Sequence, residues 1–485
     1  MANYVELPEE LKIFDDNLIR KLNKAAADKI DYWDIRVGIK TGSSIEFTDL
    51  KSREISSFET SKCGIRTFYN GGWGFLVLED FSREHMENNF NKAITLARLS
   101  ESLNQRKFKI QEKDPLEKSF KLNSKKPLED MDISEKIEIV KKHEKIANEF
   151  SEFINNTHTL YFDGEGVNLY IDSCGSVINQ KLSILRMFSA VFAQKNGIIQ
   201  RGFNSIGGLG GLEILETPKA ENLSKKSAQD AVNLLDAESP VGGKFTVIMD
   251  PSLTGTFIHE AFGHACEADL VLNKESILEG KIGEKVAAEN ITVIDDPRMG
   301  KGKNADLPYE LYGAYFIDDE GIPSQKTTII ENGIFKNYLH NLETASRMGY
   351  EPNGHGRASS NTNKPQVRMG VTILEPGNWT LEEMISETKN GVLCEDFNYG
   401  YTDPTTGNFQ FKAKLSYKIE DGKKKELMRD VALSGMTLEV LNRINAISKD
   451  LNFSDGNCGK GGQSVRVSDG GPYIRVDNVV VGGLK

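Results

Sequence analysis

Residues 250–269 read Asp-Pro-Ser-Leu-Thr-Gly-Thr-Phe-Ile-His-Glu-Ala-Phe-Gly-His-Ala-Cys-Glu-Ala-Asp. Asp250 is a favourable helix N-cap, and Pro251 suits the first helical position. The preceding run, Lys244–Asp250, has the apolar character of a buried strand. The sequence therefore predicts a helix that begins directly after a strand and carries two imidazoles and a carboxylate at its centre.

The spacing of these groups is one residue longer than in the His-Glu-x-x-His zinc motif. On a straight helix His259 and His264 would lie about 140° apart and could not share one ion. A π-bulge absorbs one residue and restores a common face, and such bulges occur mostly at functional sites. Gly263 makes a distortion inexpensive. We expect a kinked or bulged helix at Ala261–His264, next to the carboxylate of Glu260.

Two histidines do not complete a zinc site, because a catalytic zinc ion takes three protein ligands and keeps one position open. Cys458 lies in a glycine-rich stretch and could supply a thiolate. It could equally be a free thiol in a tight turn, and the histidines could be unrelated. Glu267 and Asp269 could hydrogen-bond the histidines or form a solvated face.

Several further motifs accompany this helix, and with them the chain resembles the TldD/PmbA family of metal-dependent peptidases. It resembles the TldD-type subunit, which keeps His-Glu-x-x-x-His, rather than the PmbA-type subunit, which lacks it. The resemblance covers almost the whole chain. Beyond the helix, the matching segments are Gly313–Gly321, Gly354–Arg357, Asp403–Phe409, Cys458–Gln463 and Val480–Gly483.

The resemblance implies that His259, His264 and Cys458 bind zinc and that Glu260 is the catalytic base. The implied activity is hydrolysis of short or unfolded polypeptides, in the maturation or turnover of small proteins. Members of the family form dimers whose active sites face an enclosed interior. The partner here would be a second copy or a motif-lacking PmbA-type homologue, and the peptide would lie extended against an unpaired strand edge.

Composition narrows the class of protein. The chain has 485 residues and a net charge of −11, which argues against nucleic acid or an anionic membrane as the main partner. Its five cysteines are scattered and odd in number, so no disulfide framework is implied. No apolar run approaches a membrane span, and no signal-like segment begins the chain. We expect a soluble protein of the cytoplasm.

The predicted fold class is α+β, with an N-terminal α/β-layered domain and a mostly antiparallel β C-terminal domain that carries the metal-binding helix. The expected boundaries are residues 1–110, 111–239 and 240–485. Several local predictions accompany them: separate strands at Tyr32–Lys40 and Ser44–Asp49, a hairpin turn at Asn70–Gly72, a linker of low order at Gln105–Asp130, a turn at Asp163–Gly166 and a loop at Asn204–Gly211.

Other polar residues of the last segment have weaker patterns. His340, His355 or Arg357 could polarise a scissile carbonyl, but loop hydrogen bonding is the expectation for each of them singly. The acidic group Asp318–Glu320 could bind a hard cation, although a solvated turn is the more frequent arrangement.

Two other classes of function stay open. The first is a non-catalytic partner subunit or scaffold with a structural metal, which would need four protein ligands and could recruit Cys266. The second is a thiol-dependent or redox enzyme that uses Cys458, although the chain has no Cys-x-x-Cys and no dinucleotide fingerprint.

Overall fold

The structure is a computed structural model that describes residues 5–104, 106–301 and 307–483. Helices and strands follow one another along the whole chain. The helices are α1 Asp16–Ala26, α2 Arg83–Leu103, α3 Ile133–Asn148, α4 Pro218–Glu221, α5 Leu223–Asn233, α6 Pro251–Phe257, α7 Ala268–Asn273, α8 Leu342–Met348, α9 Leu381–Ser386 and α10 Thr437–Asn442. Among the described residues, none of these helices is long and apolar enough to cross a membrane.

The strands differ greatly in length, and the longest lie in the N-terminal half. They are β1 Tyr32–Thr48, β2 Lys51–Tyr69, β3 Gly72–Leu78, β4 Glu117–Lys121, β5 Ile154–Asp172, β6 Val177–Lys195, β7 Ile198–Leu209, β8 Gly243–Met249, β9 Val293–Asp295, β10 Glu310–Leu311, β11 Thr327–Glu331, β12 Ile334–Phe335, β13 Gly356–Arg357, β14 Gln366–Val367, β15 Val371–Leu374, β16 Asn390–Asp403, β17 Asn408–Glu420, β18 Lys423–Met428, β19 Ala432–Met436, β20 Ile444–Ile447, β21 Asn452–Lys460, β22 Gln463–Gly471 and β23 Ile474–Gly482.

The N-terminal half, joined by the short strand β10, forms one long sheet with the strand order β10-β7-β6-β5-β1-β2-β3, and β4 pairs with β6. Strands β1 and β5 run antiparallel in register from Asp34↔Asp172 to Thr48↔His158. Side chains on a strand alternate between two faces. Odd-numbered residues of β1, such as Trp33, Ile35 and Val37, are buried in an apolar cluster with α1 and α2. The even-numbered residues therefore belong to the opposite face.

The C-terminal half contains two further large sheets and a two-stranded sheet of β13 and β14. One has the order β16-β8-β23-β19-β17-β18, with β20 paired to β23, and the other has the order β12-β11-β9-β15-β22-β21. Their pairings are antiparallel except for β8–β16 and β15–β22. Helix α6 and the turns that follow it are buried in an apolar cluster with strands of both sheets. The predicted α+β class, with the helix of the His-Glu-x-x-x-His motif in a mostly antiparallel C-terminal half, is confirmed.

Glycine-rich stretches of the long sheet were predicted wrongly as breaks. Tyr32–Lys40 and most of Ser44–Asp49 belong to one continuous strand, Asp163–Gly166 lies inside β5, and most of Asn204–Gly211 lies in β7. The glycines mark close packing instead of turns. A Cβ atom at Gly208 would lie 2.4 Å from Cδ2 of Tyr309. The hairpin at Asn70–Gly72 is confirmed, because β2 and β3 pair directly across it.

The predicted linker is more ordered than expected. Gln105 lies outside the described residues, but the segment that follows contains β4, which pairs in parallel with β6. Lys113 lies 2.8 Å from Asp172 and also donates a hydrogen bond to the carbonyl of Glu320. The composition of the segment does not reveal these contacts, because the residues that it contacts lie far away along the chain.

The acidic group Asp318–Glu320 is not a solvated turn, and that prediction was wrong. Asp318 and Glu320 are buried. Glu320 accepts a hydrogen bond of 2.7 Å from the buried Arg66, which also pairs with Asp34 on β1. Because a buried charge needs a partner, this network ties the C-terminal half to the long sheet.

Candidate metal centre

The helix that carries the His-Glu-x-x-x-His motif is distorted at the motif. Asp250 caps α6 by accepting a 2.8 Å hydrogen bond from the backbone N–H of Leu253. A π-helical turn then runs over Ile258–Gly263, and a 3-10 turn follows at His264–Cys266. The predicted bulge is confirmed, although it begins three residues earlier than expected. In a π-turn residues five apart lie close to one face, so both imidazoles point the same way.

Gly263 has a packing role that its helix propensity did not reveal. A Cβ atom at this position would lie 2.1 Å from Sδ of Met369. The distorted helix can therefore approach the segment before β15 only if residue 263 has no side chain.

Three of the predicted site residues converge on one point. The imidazole rings of His259 and His264 are 5.3 Å apart and nearly perpendicular. Sγ of Cys458 lies 3.3 Å from Nε2 of His264. One ligand atom from each of the three side chains lies within 4.8 Å of the others. The fold thus brings a thiol of β21 beside two imidazoles that precede it by almost two hundred residues.

The far side of His264 is fixed by a charged network. Nδ1 of His264 lies 2.8 Å from Oε2 of Glu267, which is fully buried. Lys460 donates to the same oxygen at 3.0 Å and to Asp269 at 2.7 Å. Glu267 thus hydrogen-bonds a histidine as one of the two predictions has it, whereas Asp269 pairs with Lys460 and contacts neither histidine. A carboxylate in this place holds the ring orientation and leaves Nε2 free to bind an ion.

Two residues near the centre had no sequence signal. Arg368 is fully buried and donates a short hydrogen bond to the carbonyl of Cys458, which fixes the backbone of β21. Asp469 on β22 accepts a 3.0 Å hydrogen bond from Thr256, and burial raises the pKa of its carboxyl to about 6. Neither belongs to a motif, so only the fold reveals them.

The protonation of the three donors is coupled. Burial alone would raise the pKa of the Cys458 thiol, but the two imidazoles outweigh burial and lower it to about 5. Burial opposes charge on His259, yet the adjacent Cys458 raises the pKa of this imidazole to about 9. The pKa of His264 is raised well above its ordinary value because the charge of Glu267 outweighs burial. The thiol and the two imidazoles therefore favour each other's charged forms.

The donor set fits a zinc ion. His259 is buried, and neither of its ring nitrogens has a hydrogen-bond partner among the described residues. A buried polar atom without a partner is costly, so an ion that accepts a lone pair from this ring would remove the penalty. Two imidazole nitrogens and a thiolate sulfur are the ligand types that zinc prefers.

Glu260 has a different environment from its neighbours on the helix. Its Oε2 lies 3.8 Å from Nε2 of His264, and more than a third of its side chain is exposed. It lines a cavity of about 460 Å³ together with His259, Cys458 and Asp469. The carboxylate is therefore accessible to water at the mouth of the donor cluster.

His340, His355 and Arg357 do not line this cavity. His340 lies 3.2 Å from Thr344 and is stacked on a tyrosine ring, and burial lowers its pKa to about 4. His355 is fully buried, and its Nδ1 lies 3.1 Å from the carbonyl oxygen of Arg368. Arg357 donates a hydrogen bond to the carbonyl of Met369. The expectation of loop hydrogen bonding is confirmed for each of the three.

The PmbA/TldA metallopeptidase family matches the chain in three successive parts, described as domain 1 at residues 33–97, the central domain at 126–235 and the C-terminal domain at 242–483. A metalloprotease of Methanothermobacter thermautotrophicus is 38% identical over 94% of this chain and 96% of its own length. The zinc metalloprotease TldD homolog of Saccharolobus solfataricus is 36% identical over 54% of this chain and 56% of its own.

Solved structures show the same fold. TldE from Thermococcus kodakarensis has a TM-score of 0.73 and 21% identity, and the alignment covers 96% of this chain and 99% of that one. The family and sequence matches define the class of the protein as a metallopeptidase. The chain belongs to the TldD/PmbA family of metallopeptidases, as the motifs predicted.

Proposed function

We propose that this protein is a zinc-dependent peptidase that hydrolyses peptide bonds in short or unfolded polypeptides. The observation that carries the proposal is the convergence of three ligand atoms beside a water-accessible glutamate. The zinc in the name of the Saccharolobus solfataricus relative supports the choice of metal.

In the proposed mechanism, His259, His264 and Cys458 hold the metal, and Glu260 moves the proton. When bound, zinc supplies Lewis acidity, which lowers the pKa of a water molecule and polarises a carbonyl group. Glu260 would accept a proton from the water molecule that attacks the scissile carbonyl and would donate a proton to the leaving amine as the C–N bond breaks. Glu267 keeps His264 oriented through both steps. The buried carboxylate of Asp469 contributes to the raised pKa of His259.

The experiment that tests this function incubates the purified protein with a pool of unstructured peptides, with and without a chelator. Mass spectrometry of the products should show cleavage that the chelator removes and added zinc restores. Cleavage that survives the chelator but not a thiol reagent would instead support a thiol-dependent enzyme that uses Cys458.

The alternative of a structural metal requires a fourth protein ligand. The thiol of Cys266 donates to the carbonyl of Phe262 at 3.4 Å, and it is not among the three convergent donors of the described residues. Structural zinc sites are closed by four ligands, whereas catalytic sites keep a position open. The three-donor arrangement thus favours the catalytic role.

The shape of the cavity supports an extended peptide as substrate. Seven consecutive residues of β21, from Asn452 to Cys458, line it. Because side chains alternate between faces, a cavity lined by consecutive residues runs along the edge of the strand. Strand β21 is the last strand of its sheet as far as the described residues extend. A peptide that pairs with this edge would obtain its affinity from backbone hydrogen bonds and would be cleaved with little sequence selectivity.

Zinc affinity should increase with pH. At pH 7 the metal-free site holds protonated His259 and His264, whose pKa values are raised, and an ionised Cys458, whose pKa is lowered. Zinc needs neutral imidazoles, so binding should release about two protons at pH 7 and weaken as the pH falls. Titration calorimetry in two buffers of different ionisation enthalpy measures this number. Binding without proton release would contradict the proposed ligand set.

The assembly stays a prediction, as do the domain boundaries and the cytoplasmic location. We expect a homodimer, or a heterodimer with a motif-lacking relative, whose interface exceeds the ~1,600 Å² standard size because it encloses a cavity. Light scattering should give a mass near twice 54.0 kDa for the homodimer. A stable monomer that digests folded globular proteins would contradict both the enclosure and the substrate class.

A further inference from the structure

A second cavity, of about 670 Å³, lies between the long sheet and the C-terminal half. Its floor is the even-numbered face of β1 and β5. Two glycines of β5 line this floor, Gly164 opposite Gly42 and Gly166 opposite Lys40. Any larger side chain at Gly42 or Gly166 would collide with the neighbouring strand. The glycines that resembled turns in the sequence therefore form a recess.

The recess contains positive charges that are incompletely neutralised. Arg36 is 2% exposed and donates through Nη2 to the carbonyl of Asn363. Its Nε and Nη1 have no hydrogen-bond partner among the described residues, and Nη1 lies 3.7 Å from Asp319. Lys40 projects from the same face of β1, and no described carboxylate lies within ion-pair distance of it. Arg466 on β22 is half-buried and also lines the cavity, where it donates to the carbonyls of Tyr312 and Ala314.

Burial makes these charges costly. It lowers the pKa of Arg36 and of Lys40, and it lowers the pKa of Arg466 to about 10. A cation in such a place is stabilised when an anion enters. The concentration of cations is notable in a chain whose net charge is −11.

The acidic groups of the cavity are already engaged. Glu165 pairs with Lys181 at 2.9 Å. Asp318 accepts hydrogen bonds from three backbone N–H groups, and burial raises its pKa to about 7. Asp319 accepts a 2.8 Å hydrogen bond from the N–H of Ala358 in addition to its contact with Arg36. The lining residues therefore leave Arg36 and Lys40 without full compensation.

The recess borders the candidate metal centre. Arg186 and Asn457 line both cavities. On β21, Cys458 points to the metal helix, and Asn457, which pairs with Arg466, points to the opposite face. A peptide paired with the edge of β21 would place successive side chains on these two faces in turn. One of its side chains or its terminus would thus be directed to the recess.

We propose that the recess binds a carboxylate of the peptide substrate, held by Arg36 and Lys40, while the peptide lies along β21. The inference rests on the proposed peptidase function and adds a preference for anionic peptides to it. The carboxylate comes either from an acidic side chain or from the C-terminus of the peptide, and both offer the same two oxygens to a guanidinium group.

The test measures peptide affinity without cleavage, on the zinc-loaded Glu260→Gln variant. Fluorescence anisotropy compares unstructured peptides that carry one Glu, at a different position in each peptide, with the same peptides carrying Gln. A second comparison sets a peptide with a free C-terminus against its amidated form. We expect at least one anionic form to bind about tenfold more tightly than its neutral partner, the size typical of a charge-assisted hydrogen bond. The position of that gain distinguishes the side chain from the terminus.

Two variants assign the gain to the recess. Adding Lys40→Met should reduce the tenfold advantage to about twofold or less, because it removes a positive charge from the recess. The fold should be kept, because Lys40 makes no observed hydrogen bond among the described residues. Arg36→Met should do the same, and thermal unfolding checks the effect of losing its bond to Asn363. Lys62→Met, on the exposed part of β2, is the matched control and should keep the advantage.

The outcomes separate this inference from the proposed function. Equal affinity for anionic and neutral peptides, absence of peptide binding, or an advantage that survives Lys40→Met would overturn the inference. Hydrolysis is measured separately on the protein with Glu260 intact. Zinc-dependent cleavage without any anionic preference would refute only the recess, whereas an anionic preference without cleavage would refute the peptidase.

Discussion

Glu260→Gln is expected to abolish peptide hydrolysis while the protein keeps its metal. The amide cannot accept a proton, and a positioned general base contributes about 10²- to 10⁴-fold to the rate, so kcat should fall by about 10³-fold. Zinc content should stay at the wild-type level because three other side chains form the donor cluster. Single-turnover cleavage of one unstructured peptide, with metal analysis of the same sample, measures both quantities.

Glu267→Gln provides the contrast to this variant. Glu267 contacts the outer nitrogen of His264 and Lys460, so its loss should weaken zinc binding by about 10- to 100-fold, as for other partners of metal ligands. At saturating zinc its kcat should stay well above that of Glu260→Gln. A Glu260→Gln protein that cleaves peptides at the wild-type rate would remove Glu260 from the mechanism.

The two halves of the centre differ in how far the sequence predicts them. Asp250, Pro251 and the His-Glu-x-x-x-His spacing lie within fifteen residues, so helix geometry alone predicts a bulge there. Cys458 belongs to a distant hairpin, and only the family resemblance assigned it to the site. Arg368 and Asp469 were missed because no local pattern records which backbone or hydroxyl group they bond.

The errors in the fold have one physical cause. Glycines such as Gly42 and Gly166 were interpreted through their conformational freedom, whereas the structure uses their lack of a side chain. The acidic group Asp318–Glu320 was interpreted as solvated because Arg66, the partner of Glu320, lies far away in the chain. Local patterns predict helices and caps well, but they do not reveal which face another layer covers.

Cys458→Ala is expected to cause the largest loss of metal. It removes the only donor of the described cluster that comes from β21, so zinc would be left with two imidazoles of one helix. Since the loss of even a hydrogen-bond partner of a ligand weakens binding by about 10- to 100-fold, we expect at least about 100-fold weaker zinc affinity and no measurable hydrolysis. Competition with a chromophoric chelator measures the affinity directly.

Cys266→Ser is the matched control, because this cysteine is also buried and lies two residues from His264, yet its thiol bonds the carbonyl of Phe262. Its zinc affinity should equal that of the wild type, and its hydrolysis should persist. If Cys266→Ser loses zinc as Cys458→Ala does, the site is closed by four ligands and the structural alternative is correct. If Cys458→Ala keeps wild-type affinity, the thiolate is not a ligand. In that case the 3.3 Å approach of its sulfur to His264 is only a hydrogen bond.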